Sequence, residues 1–247
     1  MQHHLVGMSE LSIFIPCVLN HLYPQTAERG VKIFKKLGYT VNIVENQACC
    51  GYPYLINGDK HGAKELAQKL LFDFQTGKRD HKILSLSPLC HHTIQNSYPN
   101  LFHNSISHNL CQKVLTDVAD MYELIAAHEI VITPKEKSVL VIDNLSNLAS
   151  LQRITNYHKA ESNWLVKDSG YCCSGAGSGF NRFNNKLAKD TVLEYCSFAK
   201  EHQVDSLTFT DEFSLAFTES VLENAHIQLQ TRHLFDILYE QLHSTSN

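Results

Sequence analysis

The stretch "TVNIVENQACCGYP", residues 40–53, predicts both a fold and a candidate site. It opens with a short β-branched run that is typical of a strand, and the strand leads into two adjacent cysteines, Cys49 and Cys50. Neighbouring side chains diverge in a regular helix or strand, so two sulfurs can face one ligand only from an irregular turn. Gly51 permits the dihedral angles of such a turn, and Pro53 stiffens the chain beyond it.

Two other strand-like runs end at cysteines. "LSIFIP", residues 11–16, is followed by Cys17, and "KILSLS", residues 82–87, is followed closely by Cys90. Segments of helical period separate these runs, which is the pattern of an α/β protein with parallel strands. The carboxyl ends of parallel strands lie along one edge of a sheet, where their loops converge. We therefore expect four thiols to meet at that edge: Cys17, Cys49, Cys50 and Cys90.

The second half of the chain repeats this order more weakly. It contains the strand-like runs "SVLVID", "NWLVKD" and "SLTFT", with the turn "YCCSGAGSGF" before the last of them. The predicted fold class is therefore α/β, with two pseudo-repeated Rossmann-like units that each have a parallel sheet. A proline and several charges interrupt the pattern at residues 128–137. We place the four-cysteine unit at residues 1–132 and a degenerate second unit at residues 133–247.

Composition and charge exclude several classes of function. The 247 residues carry a net charge of -4 and no Lys/Arg cluster interleaved with aromatics, so no nucleic-acid partner is expected. No run approaches the length of a membrane span, and the first residues do not resemble a signal peptide, so no transmembrane segment and a cytoplasmic location are expected. In a reducing compartment, eight cysteines are ligands, reactive thiols or buried hydrophobes rather than a disulfide framework.

The spacing C-x31-CC-x39-C differs from that of zinc fingers and ribbons, which use ligands two to four residues apart. Four soft thiolates suit an iron–sulfur cluster or a zinc ion. Two alternatives stay open: the four cysteines are buried hydrophobes, or Cys49 and Cys50 form a metal-free redox disulfide. Cys111 and Cys196 keep helical register with apolar neighbours and are predicted to be core residues, and His91-His92 to be a surface pair.

These motifs resemble the cysteine-rich CCG-domain iron–sulfur oxidoreductases, a family that extends to heterodisulfide reductase and to the lactate-utilisation proteins of type A. "IPCVLNHLYPQTAERGVKIFKKLGYTV" and "NQACCGYPYLINGDKHGAKELA" are most like the lactate-utilisation branch. The resemblance extends from about Leu11 to Leu242 and implies two repeats. Four positions match the family's cluster cysteines: Cys17, Cys49, Cys50 and Cys90. The family's final close pair is incomplete here, because Ser87 or Ser85 stands at its other position.

The second repeat departs further from the family motif. Cys172 and Cys173 keep the pair, but Ser174 replaces the glycine. Leu145 stands at the first cysteine position and Ser214 at the last. Leucine cannot bind a metal and serine is a poor ligand for a soft one. Cys172 and Cys173 are therefore expected to form at most a weak metal site that has lost its cluster.

The resemblance implies an iron–sulfur electron-transfer subunit of an oxidoreductase complex that oxidises L-lactate to pyruvate, or a similar 2-hydroxy acid. Four cysteines favour a [4Fe-4S] cluster, with zinc as the alternative cofactor. The implied partners are two other subunits, one of which carries further iron–sulfur clusters. The alternative function is a structural zinc-binding scaffold without redox chemistry. No general base or substrate clamp can be identified, so no catalytic residue is predicted.

Overall fold

The computed structural model describes residues 10–75, 82–103, 105–142, 146–166, 184–204 and 206–244. The first half forms a parallel sheet of four strands in the order β2-β1-β3-β4. The strands are β1 (Glu10–Phe14), β2 (Thr40–Ile43), β3 (Lys82–Ser85) and β4 (Val118–Ala119). The helices are α1 (Cys17–Leu22), α2 (Pro24–Lys36), α3 (Tyr52–Ile56), α4 (Lys60–Gln75), α5 (Pro88–His92), α6 (Tyr98–Phe102), α7 (His108–Asp117) and α8 (Met121–Ala126). A π-helical segment, Thr93–Ser97, joins α5 to α6.

The second half forms another four-stranded parallel sheet, in the order β6-β5-β7-β8. Its strands are β5 (Ser138–Val141), β6 (Trp164–Leu165), β7 (Ser206–Phe209) and β8 (Gln230–His233). Its helices include α9 (Leu148–Thr155), α10 (Asn185–Glu201), α11 (Glu212–Ala225) and α12 (Leu234–Ser244). The two sheets have the same order of strands, which confirms the predicted α/β class with two pseudo-repeated Rossmann-like units.

The central strands of both sheets are largely buried. In β1, Leu11, Ile13 and Phe14 are buried, and Ile13 lies between Ile43 of β2 and Leu84 of β3. Helices cover both faces of such a sheet, so its inner strands read as continuous apolar runs rather than as alternating ones. This explains why the strand-like runs could be located from the sequence.

The two units share a hydrophobic core. The last helix of each unit packs against a helix that follows the first strand of the other, α12 against α2 and α8 against α9. Gly30 of α2 makes the first contact close, because a Cβ there would lie 3.2 Å from the Phe235 ring and 3.1 Å from Leu86. Asp236 adds a polar contact, since it accepts a hydrogen bond from Arg29 Nη1 at 2.7 Å. One cluster of buried side chains therefore spans both units.

The segment at the predicted domain boundary is tied into the second unit. Ile132 is buried, and its N–H donates to the Ile154 carbonyl at 2.5 Å. Its own carbonyl accepts a hydrogen bond from the Trp164 indole at 2.8 Å. The charged residues that follow, Lys135 to Lys137, are exposed. Division of the chain into residues 1–132 and 133–247 stays a prediction.

Within the described ranges, no helix combines the length and apolar character needed to cross a membrane.

Stability is expected to fall in mild acid because of His233, at the end of β8. This side chain is fully buried, and burial lowers its pKa to about 4, although the charge of Asp236 opposes the shift. The unfolded chain binds a proton at this residue below about pH 6.5, whereas the folded chain does not until about pH 4. The free energy of unfolding should therefore decrease by roughly 3 kcal/mol between these values, and level off below them.

Denaturant titrations at pH 7 and pH 4.5 test this expectation against a His233→Gln variant. Glutamine can keep the hydrogen bond that the ring Nδ1 accepts from the Phe235 N–H at 3.1 Å, but it does not titrate. The variant should lose less stability on acidification than the unmodified chain. An equal loss in both proteins would show that other groups, such as paired carboxylates, account for the pH dependence.

Candidate functional site

The structure brings the four predicted cysteines together at the carboxyl ends of three strands. Cys17 begins α1 directly after β1, the pair Cys49-Cys50 follows β2, and Cys90 lies in α5 after β3. The thiols of Cys17 and Cys50 both hydrogen-bond to Cys49, and the Cys90 sulfur lies 3.2 Å from that of Cys50. The strand order reverses between β1 and β3, where doubly wound sheets bind their ligands. The role of these cysteines as ligands stays a prediction.

Two side chains hold the loop that leads into the cysteine pair. The amide of Gln47 accepts a hydrogen bond from the Ile15 N–H at 3.0 Å and donates one to the Ile15 carbonyl. The next residue, Ala48, donates its N–H to Asp73 of α4 at 3.1 Å. These contacts fix the loop against the end of β1, two residues before Cys17. The role of Gln47 could not be predicted from the sequence, because one amide that pairs with a backbone 32 residues away leaves no periodic signal.

The predicted role of Gly51 is confirmed by the backbone. Gly51 has φ of 85° in the left-handed region and forms the N-cap of α3, with Pro53 in the first turn. A Cβ there would lie 3.0 Å from the Ala63 carbonyl oxygen. The preceding carbonyl, that of Cys50, accepts a hydrogen bond from the buried Tyr98 hydroxyl at 3.0 Å. Glycine is therefore required here for both its dihedral angles and its lack of a side chain.

Replacement of Gly51 by alanine is expected to destabilise the chain by roughly 2–4 kcal/mol, because left-handed strain and overpacking act together. Gly58→Ala is a matched control, since Gly58 also has a positive φ, of 77°, but a Cβ there meets nothing within 4 Å. The control should lose about 1 kcal/mol, the cost of the dihedral angle alone. Denaturant unfolding measures both variants, and equal losses would contradict the close contact with Ala63.

The two serines at the missing cysteine position shape the start of α5. Ser87 is its N-cap, and the Ser87 Oγ accepts a hydrogen bond from the Cys90 N–H at 3.4 Å. The Ser85 Oγ accepts from the Ser87 N–H and donates to the Ser87 carbonyl, each at 3.2 Å. Both serines are buried. Their hydroxyls therefore place Cys90 through the backbone.

The second unit has a structural equivalent of this helix start. Ser214 is the third residue of α11, as Cys90 is of α5, and both helices follow the third strand of their sheet. Asp211 caps α11 by accepting the Ser214 N–H at 2.8 Å. Ser214 is fully buried, and its hydroxyl has no hydrogen-bond partner among the described residues. The weak second site, Cys172 and Cys173, lies outside the described residues, as does Leu145, and stays a prediction.

The four thiols differ in exposure, and Cys17, Cys49 and Cys50 also differ in proton affinity. Cys50 and Cys90 are buried, Cys49 is half-buried and Cys17 is exposed. Hydrogen bonds from the thiols of Cys17 and Cys50 lower the pKa of Cys49 to about 3, and the Gly51 N–H supports its charge at 3.5 Å. The same contact with Cys49, together with burial, raises the pKa of Cys17 and of Cys50 above the usual value. Cys49 is thus favoured as a thiolate, whereas Cys17 and Cys50 must lose protons before they can bind a metal.

The site opens to solvent at Cys17. A cleft of about 350 Å³ lies beside Cys17 and Cys49, with Ile43 and Val44 of the β2 edge and Asn20 of α1 on its walls. Cys50 and Cys90 do not line this cleft and belong to a buried hydrophobic cluster. Of the four thiols, that of Cys17 is the exposed one.

Burial differs from the sequence prediction for Cys196 and His91, but not for Cys111. Cys111 is fully buried, which confirms it as a core residue. Cys196 is only half-buried, so the core prediction is wrong for it: the buried stripe of α10 runs beside it through Val192, Tyr195 and Ala199. His91 is largely buried and faces Asp120 at 4.0 Å, whereas its neighbour His92 is exposed. The predicted surface pair is therefore wrong for His91, because α5 turns one face inward.

The thiols form a linked row rather than a shell. In the part of the chain that the structure describes, no three His, Cys, Asp or Glu side chains surround a point that could hold a single metal ion. The sulfur contacts run in the order Cys17, Cys49, Cys50, Cys90. Such a row can supply one thiolate to each of several metal atoms.

The match to a family model covers this site. Residues 11–95 match the CCG family, described as a cysteine-rich domain, and the matched stretch contains all four cysteines. For residues 11–95, the match confirms the resemblance seen in the sequence.

Curated relatives match part of the length of this chain. "Lactate utilization protein A" of Bacillus subtilis (strain 168) is 29% identical over 93 residues, which is 38% of this chain and 37% of that protein. "Lactate utilization protein A" of Geobacillus kaustophilus (strain HTA426) is 28% identical over 94 residues, 38% of each chain. The match thus spans less than two fifths of the relatives' length.

Two solved structures align with the whole fold at low similarity. A putative Asp/Glu racemase from Yersinia pestis has 10% identity and a TM-score of 0.38, covering 96% of this chain and 99% of that one. An aspartate racemase homologue from Pyrococcus horikoshii OT3 has 11% identity and a TM-score of 0.33, with the same coverage. TM-scores this low carry no inference about the function of this chain.

Proposed function

We propose that this chain is an iron–sulfur electron-transfer subunit of an oxidoreductase complex. The observation that carries the proposal is the row of four thiols at the carboxyl edge of a sheet, inside the stretch that matches the CCG domain. Soft thiolates in this number are the usual ligands of iron–sulfur clusters. A pair of thiols placed by a left-handed glycine turn is a feature that core packing alone does not require.

The proposed cofactor is a [4Fe-4S] cluster on Cys17, Cys49, Cys50 and Cys90. The donor set fits this group in number and in kind, because a cubane takes one thiolate on each of its four irons. When bound, the cluster would supply one-electron redox chemistry. The chain's own contribution is to hold the thiolates in place, through Gln47 and Gly51, and to keep Cys50 and Cys90 away from water.

A zinc ion is the alternative occupant, and one contact favours it. The sulfurs of Cys50 and Cys90 lie 3.2 Å apart, near the roughly 3.8 Å edge of a zinc tetrathiolate with Zn–S bonds of about 2.3 Å. The remaining sulfurs do not close around the same point, in keeping with the lack of a single-ion site in the described ranges. In this alternative the chain is a structural scaffold without redox chemistry.

The reaction and the partners are proposed from the relatives. They carry the name "Lactate utilization protein A". We therefore infer that this chain takes part in the oxidation of L-lactate to pyruvate, or of a similar 2-hydroxy acid. Its partners would be two other subunits, one with further iron–sulfur clusters. Electrons would pass on the side of Cys17, where the row of thiols is exposed.

The second unit, proposed at residues 133–247, would support the site of the first unit rather than carry a cluster of its own. Helix α11 of the second unit packs against α1, which begins at Cys17. Tyr23, which follows α1, donates a hydrogen bond to Glu219 of α11 at 2.5 Å. The ring of Phe213 from the same helix meets Tyr52, two residues beyond Cys50. Through these contacts the second unit would hold in place the segments that carry Cys17 and Cys50.

Reversible reduction tests the proposed function. Protein prepared without oxygen should show a broad visible absorption that dithionite bleaches and that returns on reoxidation, because thiolate-bound iron absorbs and changes oxidation state. A zinc-loaded scaffold has neither the absorption nor the response, since zinc has no redox chemistry. A colourless protein that is unchanged by dithionite would overturn the electron-transfer proposal.

A further inference from the structure

Tyr52, two residues beyond Cys50, is half-buried, and its hydroxyl is fully buried. The hydroxyl oxygen of Tyr52 is inaccessible to solvent and makes no hydrogen bond to any described residue. Leaving a buried hydroxyl unpaired costs roughly 1–3 kcal/mol, so such a group in a native fold usually has a partner of another kind. The position of Tyr52 indicates which partner that is.

The Tyr52 ring contacts two parts of the protein. It is the first residue of α3, directly after the left-handed Gly51. Its ring packs against the hydrophobic cluster that contains Cys50 and Cys90. From the second unit, the Phe213 ring meets it edge-on, with ring centroids 6.4 Å apart and an interplanar angle of 68°. The ring is therefore held between the cluster that contains Cys50 and a helix of the second unit.

We propose that the Tyr52 hydroxyl donates a hydrogen bond to a sulfur of the group that the four cysteines hold, and thereby raises the reduction potential of that group. This inference rests on the proposed function. A phenol is a good donor, and sulfurs of thiolates and clusters accept hydrogen bonds. Reduction adds negative charge to the group, so a donated hydrogen bond stabilises the reduced form more than the oxidised form. Tyr52 is then a tuning residue rather than a ligand.

The test compares Tyr52→Phe with Tyr54→Phe in the full chain, prepared without oxygen. Both changes remove one hydroxyl from α3, but the Tyr54 side chain is exposed. Phenylalanine keeps the ring and its contact with Phe213, so Tyr52→Phe should fold and retain its iron. We expect its equilibrium constant for reduction to fall fivefold to tenfold, where a tenfold change corresponds to about 59 mV for a one-electron couple. Tyr54→Phe should match the unmodified protein.

A spectroscopic measurement separates a hydrogen bond from a general change of structure. Transfer into deuterated water should shift the iron–sulfur stretching bands of the unmodified protein and of Tyr54→Phe, because the bound proton exchanges. That shift should be smaller in Tyr52→Phe.

The outcomes are distinguishable. Tyr52→Phe with full iron, an unchanged potential and an unchanged deuterium shift would overturn the inference alone. An unmodified protein without iron would overturn both the inference and the proposed function.

Discussion

Replacement of Cys90 by serine is expected to lower the iron bound per chain at least tenfold. Cys90 is the buried end of the thiol row, and its sulfur lies 3.2 Å from that of Cys50. A serine hydroxyl is a poor ligand for a soft metal, and loss of one ligand in four leaves a cluster open to water and oxygen. Iron and acid-labile sulfide, measured after purification without oxygen, report the effect.

Cys111→Ser is the matched control for this prediction. Cys111 is as deeply buried as Cys90 and lies in the same hydrophobic cluster, but its thiol is not part of the row. The control should lose roughly 1–3 kcal/mol of stability, from burial of a hydroxyl, and should keep its iron. Equal loss of iron in both variants would mean that a damaged core, and not a missing ligand, releases the metal.

Replacement of Phe235 by alanine is expected to lower the free energy of unfolding by roughly 3–5 kcal/mol. The ring is fully buried and lies against Gly30, at the contact between α12 and α2 where the two units share a core. The cavity cannot close easily, because the backbones of both helices are already near each other. Denaturant unfolding followed by circular dichroism and by Trp164 fluorescence measures the loss.

The shared core also predicts that both units unfold in one transition. Trp164 reports on the second sheet, whereas circular dichroism reports on both units. Phe72→Ala is a suitable control, because Phe72 is 51% exposed on α4 and should cost little when truncated. Two separate transitions, of which Phe235→Ala shifts only the one seen by Trp164, would contradict the shared core.

The parts of the site that follow from parallel-sheet geometry could be predicted from the sequence. Apolar strand runs that end at Cys17, Cys49 and Cys90 place those residues at one edge, because parallel strands share the direction of their carboxyl ends. The need for a glycine at position 51 also follows from local geometry, since two adjacent side chains must be redirected. Both inferences use information within a few residues of each position.

The contacts that complete the site carry no local signal. Gln47 pairs with the backbone of Ile15, and the Phe213 ring reaches Tyr52 from the other half of the chain. The packing of the last helix of one unit against the other unit also depends on distant residues. One example is the hydrogen bond between Arg29 and Asp236, which are 207 positions apart. Helical periodicity predicts which face of a helix is buried, but not which element packs against that face. It also wrongly placed Cys196 on the buried face of α10.

The metal content of the unmodified chain, prepared entirely without oxygen, tests the central claim most directly. Iron, acid-labile sulfide and zinc are counted in one sample, and electron paramagnetic resonance is recorded before and after reduction. The proposed [4Fe-4S] cluster predicts about four iron and four sulfide per chain, with a paramagnetic signal that appears on reduction. About one zinc per chain without iron would contradict it, and so would a protein that binds no metal at all.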